Sequence, residues 1–339
     1  MNKSAQIFIG VTAVVVVILT ALIYSKTPLP GEVEKTRQPE KATLAYVTTT
    51  PAVLAGIALH QGYYRQEGLE ITARPHTFGK AALEDMLEGS ADFATAAESS
   101  IMMAIMKGES ISILATIQTS NRCNAIVARI DSGILRPEDL KGKKIATTPG
   151  APPDFFMDAY LSRHGIAREE YERVDLEPES LQDALVSGQV DAVSVCQPFL
   201  IQMEKKLGDR VVSFYDENIY TWTFNVVAKQ EFVRNNPEKA KKLLRALVLA
   251  EEFVKEDPDE AQKIVADNSG MDPSLVGEIW PNMKFNVTLN QFLVLALEDE
   301  SRWAIDSGII AKKKIPNFLD YIYFDGLEAV KPKAVRMLR

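Results

Sequence analysis

One phrase occurs twice in this chain, 99 residues apart. Leu83–Ser99 reads LEDMLEGSADFATAAES, and Gln182–Pro198 reads QDALVSGQVDAVSVCQP. In register, Gly89 matches Gly188, Asp92 matches Asp191, Thr95 matches Ser194 and Glu98 matches Gln197. Each copy runs from an apolar helical stripe through a Gly and an Asp into a short apolar strand with a polar tip. Upstream, Thr48-Thr49-Thr50-Pro51 has its counterpart in Thr147-Thr148-Pro149-Gly150, each after an apolar run. A chain that builds one α/β unit twice, leaving a polar loop at each strand end, is expected to form the two walls of a cleft.

The rest of the sequence narrows what enters that cleft. A length of 339 residues suggests about two domains. Charges of both signs are mixed, with a net charge of −8, and no basic stripe exists to neutralise phosphates, so nucleic acid is not an expected partner. Lys312-Lys313-Lys314 reads as a solvated loop. Ile7–Tyr24 carries no charge and is just long enough to span a bilayer. Only a poor cleavage site follows it, so an uncleaved anchor is favoured over a cleaved signal. The expected location is the periplasm or cell exterior, tethered to the cytoplasmic membrane by residues 7–24. Cys123 and Cys196 match no metal or redox spacing and read as two thiols.

The chain divides into an anchor or signal segment (1–27), a Pro-rich charged linker (28–41), and an α/β body. Strands are expected at Thr43–Val47, Leu69–Ala73 and Asp92–Ala96, with helices at Ala52–Gln66 and Pro153–His164. The similar runs Asn124–Ala128 and Phe224–Ala228 stand before and after the second unit, as two hinge crossings would. That places residues 42–128 and 224–339 in a first lobe and 129–223 in a second. Pro237–Val265 and Pro273–Gly308 are expected to be helical. Alternating strands and helices imply parallel-type sheets, whose ligands sit beyond the carboxyl ends of the strands.

Asp139–Gly150 (DLKGKKIATTPG), Ala184–Pro198 (ALVSGQVDAVSVCQP) and Gln66-Glu67-Gly68-Leu69 together resemble the solute-binding proteins of bacterial ABC importers. The nearest group takes sulfonates, taurine, nitrate or thiamine-precursor pyrimidines. The resemblance runs from Thr43 onward. It implies an α/β type-II periplasmic-binding-protein fold with two lobes, two hinge crossings and a small ligand trapped by closure, here behind an N-terminal hydrophobic helix. It also implies an ABC permease as partner, action as a monomer, and no cofactor or metal.

The loops expected to face the ligand carry Thr48, Thr49 and Thr50, Glu98 and Ser99, Gln118 and Thr119, Asp154 and Phe155, Gln197, and Trp222 and Thr223. Hydroxyls and amides there suit a small polar ligand held by hydrogen bonds. Pro152 and Pro153 remove two donors from a helix N-terminus that would otherwise attract an anion, and Asp154 adds a carboxylate. With Glu98 on the opposite wall, these acids point to a neutral or cationic ligand such as a pyrimidine-like heterocycle. Phe155, Phe199, Trp222 and Tyr46 are available to stack on a flat ring. A sulfonate- or nitrate-type anion and a membrane-tethered sensing role through a partner are the alternatives. His60, His76 and His164 are scattered, and no catalytic motif appears, so an enzyme is not expected. A Cys196-dependent synthase-like activity stands last.

Overall fold

The computed structural model describes residues 38–311 and 314–338; the anchor segment, most of the linker and Lys312-Lys313 lie outside them. Among the described residues no helix is long and apolar enough to cross a membrane. Residues 39–339 form one compact unit built on two sheets.

The larger sheet holds β1 (Glu40–Val47), β2 (Leu69–His76), β3 (Phe93–Ala97), β4 (Ile111–Ser120), β10 (Trp222–Lys229), β11 (Lys284–Asn290) and β12 (Val335–Arg336) in the order β12-β11-β4-β10-β3-β1-β2. The smaller holds β5 (Asn124–Arg129), β6 (Lys144–Thr147), β7 (Glu172–Asp175), β8 (Ala192–Cys196) and β9 (Val211–Phe214) in the order β7-β6-β8-β5-β9. The duplication is visible in this topology. In each sheet the unit's first strand lies between its second and third, all parallel, and an antiparallel strand then separates the third from the fourth. That antiparallel strand comes from across the molecule, β10 in the larger sheet and β5 in the smaller.

The repeated residues do matching work. Gly89 and Gly188 both take a left-handed conformation, φ 85° and 76°, that a side chain would strain. A Cβ on Gly188 would also collide with the Arg129 guanidinium. Two residues beyond each helix-ending turn, the Asp carboxylate caps the first strand of its own unit. Asp92 Oδ2 accepts the Thr43 N–H at 2.8 Å, and Asp191 Oδ2 accepts the Lys144 N–H at 2.9 Å. The next positions differ: Thr95 Oγ1 accepts the Val47 N–H, while Ser194 Oγ donates to the Pro153 carbonyl.

Helices cover the sheets on both faces, so the central strands are buried throughout. The helices that matter below are α1 (Gly79–Leu87), α2 (Glu98–Met106), α3 (Pro152–Arg163), α4 (Pro178–Ser187), α5 (Phe199–Leu207) and α6 (Gln291–Asp306). In the smaller lobe, β5 sends Ile126 and Ala128 toward α3 and Ala125 and Val127 toward α4 and α5.

Three expectations are corrected. Asn124–Ala128 does not belong to the first lobe: β5 pairs with β8 and β9 in the smaller sheet. The lobes are joined instead by residues 121–123 and 215–221, and the two similar runs are fixed sheet strands rather than flexing segments. Arg122 straps these crossings together, binding Glu217 at 2.8 Å and lying 4.7 Å over the Tyr215 ring. Within the run expected to be helical, Lys284–Asn290 is a strand whose Phe285, Val287 and Leu289 alternate into the core. Finally, β1 begins at Glu40, two residues inside the expected linker.

Because the two Asp caps lie in separate sheets, their losses are expected to add. Asp92→Ala and Asp191→Ala should each lower urea-unfolding stability by about 1–2 kcal/mol, and the double variant by the sum. A double variant no worse than either single one would contradict independent strand capping.

Candidate ligand-binding site

A cavity of about 340 Å³ lies where the strand ends of both sheets meet. The larger lobe contributes Val47 from the end of β1, Thr49 and Pro51 from the loop after it, Thr77–Ala81 from the start of α1, Ser100 from α2, and Trp222 and Phe224 from β10. The smaller lobe contributes Thr148–Pro153, Glu177–Glu179, Cys196, Gln197 and Phe199. The interior is apolar and aromatic. Across it Phe78 of one lobe stacks on Phe199 of the other, centroids 5.6 Å apart at 23°. Charges stand at the exposed rim: among the described residues Lys80 is the one basic group, whereas Glu84, Glu177 and Glu179 are acidic.

Two groups in this wall have unspent hydrogen bonds. Trp222 is only 4% exposed, and its Nε1–H has no partner; a buried donor left in that state costs on the order of 1–3 kcal/mol. At α1, the first N–H to bond back along the helix is that of Ala82, to Phe78 O, and Phe78 offers no side-chain cap. The amides of Gly79, Lys80 and Ala81 therefore lack an intrahelical acceptor. Gly79 fits tightly there: a Cβ would sit 3.1 Å from the Phe224 ring and 3.2 Å from Ala96 Cα, so those neighbours would have to give. The equivalent starts in the smaller lobe, α3 and α4, carry Pro at their first positions and have fewer donors.

Of the expected contacts, Thr49, Gln197 and Trp222 line the cavity, while the others lie in the layer behind it. Thr48 and Thr50 flank the β1 loop, and the Gln118 amide, with its NH₂ toward that loop, donates to the Thr50 and Pro51 carbonyls. Thr119 pairs with Thr223 in the sheet. Ser99 is fully buried, and Phe155 packs edge-on against Tyr220 and Trp303 at 5.1 and 5.6 Å.

Asp154 neither faces the cavity nor caps its helix by the usual forward bond. Its carboxylate is buried and paired end-on with Arg173 of β7, Nη1–Oδ1 2.8 Å and Nη2–Oδ2 2.9 Å, and it accepts the Gly150 N–H. Burial pushes it up to about 6 and Arg173 opposes this, so at neutral pH it is the ionised partner of Arg173. The repulsion that Asp154 was expected to exert on an anion is therefore absorbed.

Glu98 starts α2, fully buried, with Oε2 accepting both the N–H and the hydroxyl of Thr223 at 2.8 and 3.0 Å. Thr223 passes the chain to Asn225 and on to Thr116. Glu300 of α6, also fully buried, hydrogen-bonds Glu98. Burial pushes Glu98 up to about 8 and Glu300 well above the carboxylate range, so the pair holds a proton at neutral pH.

One helical turn along α6, Trp303 crosses to the other lobe. Its Nε1–H donates to Asp158 Oδ2 of α3 at 2.8 Å, and Tyr171 donates to the same carboxylate at 2.5 Å. Lys205 of α5 bridges to Glu278 of the larger lobe at 2.5 Å. With the Phe78–Phe199 stack, these contacts hold the lobes in a closed arrangement.

Sequence reasoning overlooked Thr77–Ala81 and Glu177–Glu179. The signal was present: the same 99-residue offset that aligns the repeated phrase sets Gly79 against Pro178.

The acid pair makes stability depend on pH with a definite sign. The folded chain binds more protons than the unfolded one between about pH 4.5 and 8, so this pair's contribution to stability falls as pH rises through that window. Urea titrations at pH 5.5 and 8.5 are expected to show a smaller pH-dependent loss in Glu300→Gln than in the wild type. An equal or larger loss in the variant would refute the shared-proton assignment.

Comparisons with known proteins agree with this geometry. The alkanesulfonate-binding protein SsuA of Xanthomonas axonopodis pv. citri, solved with MOPS, superposes with a TM-score of 0.71 at 17% identity, over 84% of this chain and 99% of that one. The nitrate-binding protein NrtA of Synechocystis PCC 6803 gives 0.65 at 15% identity, over 86% and 89%. The fold is thus that of the periplasmic binding proteins. The taurine-binding periplasmic protein of Escherichia coli is 24% identical over 216 residues, 62% of this chain and 65% of that protein. The match to Brucella abortus relatives named as binding proteins spans 60% of their length. A family model described as NMT1/THI5 like matches residues 53–261, and the chain belongs to that family.

Proposed function

We propose that this chain is the extracytoplasmic substrate-binding component of an ABC importer, capturing a small organic molecule by closure of its lobes and presenting it to a permease. Tethering by residues 7–24 would hold it near that permease and raise its effective concentration there. The observation that carries the reading is the aromatic cavity between the lobes, with an unpartnered buried Trp222 donor in its wall and cross-lobe contacts around it. A ligand touching both walls is what shifts a two-lobed protein toward its closed state.

The ligand class follows from the lining. Among the described residues no arginine lines the cavity, and three carboxylates outnumber Lys80 at its rim. The walls are mostly apolar, with Phe78 and Phe199 face to face. Such a site suits an uncharged or weakly cationic flat molecule, a heteroaromatic ring whose acceptor atom takes the Trp222 N–H. One observation favours a second reading: the open N-terminus of α1, with Lys80 beside it, is a place where a sulfonate would dock.

A thermal-shift and calorimetric panel of aminopyrimidines, other neutral heteroaromatics, alkanesulfonates, taurine and nitrate on the purified chain separates the two. The heteroaromatics are expected to bind at least tenfold tighter, and Trp222→Phe to weaken them by about tenfold, one hydrogen bond's worth. Tightest binding by a sulfonate, unaffected by Trp222→Phe, would overturn the proposed ligand class.

Closure is testable apart from the cavity. Trp303→Phe keeps an aromatic side chain but removes the indole N–H bonded to Asp158, so it should weaken the same ligands several-fold without touching them. Unchanged affinity would mean that the Asp158–Trp303 bond contributes nothing to the closed state.

A further inference from the structure

The two cysteines stand together at the joint between the lobes. Cys123 is the last residue of the first crossing, just before β5, and is 2% exposed. Cys196 is the tip residue of β8, half-buried, and lines the cavity. Strand pairing sets Asn124 opposite Cys196, and the Gln197 N–H donates to the Cys123 carbonyl at 2.9 Å. The cysteines are therefore neighbours across two paired antiparallel strands, one position apart in register, and their thiols hydrogen-bond each other. On regular strands such neighbours would face opposite sides of the sheet, but Cys123 lies in the bend before β5, and the two thiols come close enough to set each other's acidity. Both are free thiols in the structure.

We propose that Cys123 and Cys196 form an exchangeable dithiol, in which cavity-facing Cys196 attacks an incoming disulfide and buried Cys123 resolves the adduct into an intramolecular disulfide. The chemistry balances through a small-molecule disulfide or an oxidoreductase disulfide as oxidant. The Cys196 thiolate attacks one sulfur of R–S–S–R, forming a mixed disulfide and releasing one thiolate. Cys123, its proton taken by the thiolate just released in the cavity, then attacks Cys196 sulfur and releases the second. Two protein thiols are oxidised and one disulfide is reduced to two thiols.

The division of roles rests on access and environment. Cys196 is open to the cavity, and the hydrogen bond from Cys123 holds its thiol below the usual range. The same hydrogen bond, together with burial, pushes the Cys123 thiol up and keeps it protonated, so Cys196 is the one that reacts first. Closing the bond would fasten the end of the first crossing to the strand tip that leads into Gln197. The redox state would thereby act on the hinge and on the cavity wall together.

The test uses the reduced full-length chain and oxidised glutathione under native conditions, read by intact mass, thiol titration and thermal unfolding. The wild type is expected to lose two hydrogens, retain no titratable thiol, and gain roughly 5–10 °C in Tm, as a bridge across a long loop should give. Cys123→Ser should stop at one glutathione on Cys196, and Cys196→Ser should remain unmodified. A glutathione adduct that persists on wild-type Cys196, two thiols that stay titratable, or a fall in Tm on oxidation would each overturn the proposal.

Discussion

A buried carboxylate at the start of α2 holds the larger lobe to the point where the chain returns to it. Glu98 takes both the amide and the hydroxyl of Thr223, the second residue after the return crossing. Through Glu300 it also anchors α6, whose next turn carries Trp303 across to the smaller lobe. An ionised acid in that place would be costly. The proton shared with Glu300 lets the network sit in the interior, linking a sheet strand, a crossing and the cross-lobe contact. The cavity is shaped by what this network positions rather than by the network itself.

The two sheets exchange a strand each, and this sets where motion can occur. β5 and β10 are the first strands after their crossings, and each is hydrogen-bonded on both edges in its new sheet. Neither can flex without breaking a sheet. Rotation between lobes must then be absorbed by residues 121–123 and 215–221, which Arg122 straps side by side. In the structure α3 lies against α6 and Phe78 against Phe199, so the contacts between the lobes surround the cavity on more than one side.

The doubled architecture was legible because repeated Gly and Asp residues do repeated physical work: a left-handed turn, then a strand cap. Of the polar strand tips, Thr49, Gln197 and Trp222 line the cavity. Asp154 was misread because its neutralising partner, Arg173, comes from another strand, and only the pairing of β6 with β7 brings the two together. Glu98 read as a ligand contact because an acid at a strand tip looks exposed; its second acid arrives from α6, 202 residues later. The strand β11 was lost inside a helical stretch, although KFNVTLN alternates with a period of two. In each case local pattern predicted local structure, and the errors arose where a partner distant in sequence decided a residue's role.

The central claim is that a flat ligand fills the space between Phe78, Phe199 and Trp222 in the closed protein. A crystal structure of the chain with the tightest ligand from any screen tests it most directly. The account requires the ring between the two lobes with an acceptor about 3 Å from Trp222 Nε1. It is contradicted if the ligand lies outside this cavity, or if Trp222 Nε1 stays unpartnered while an anionic group occupies the N-terminus of α1.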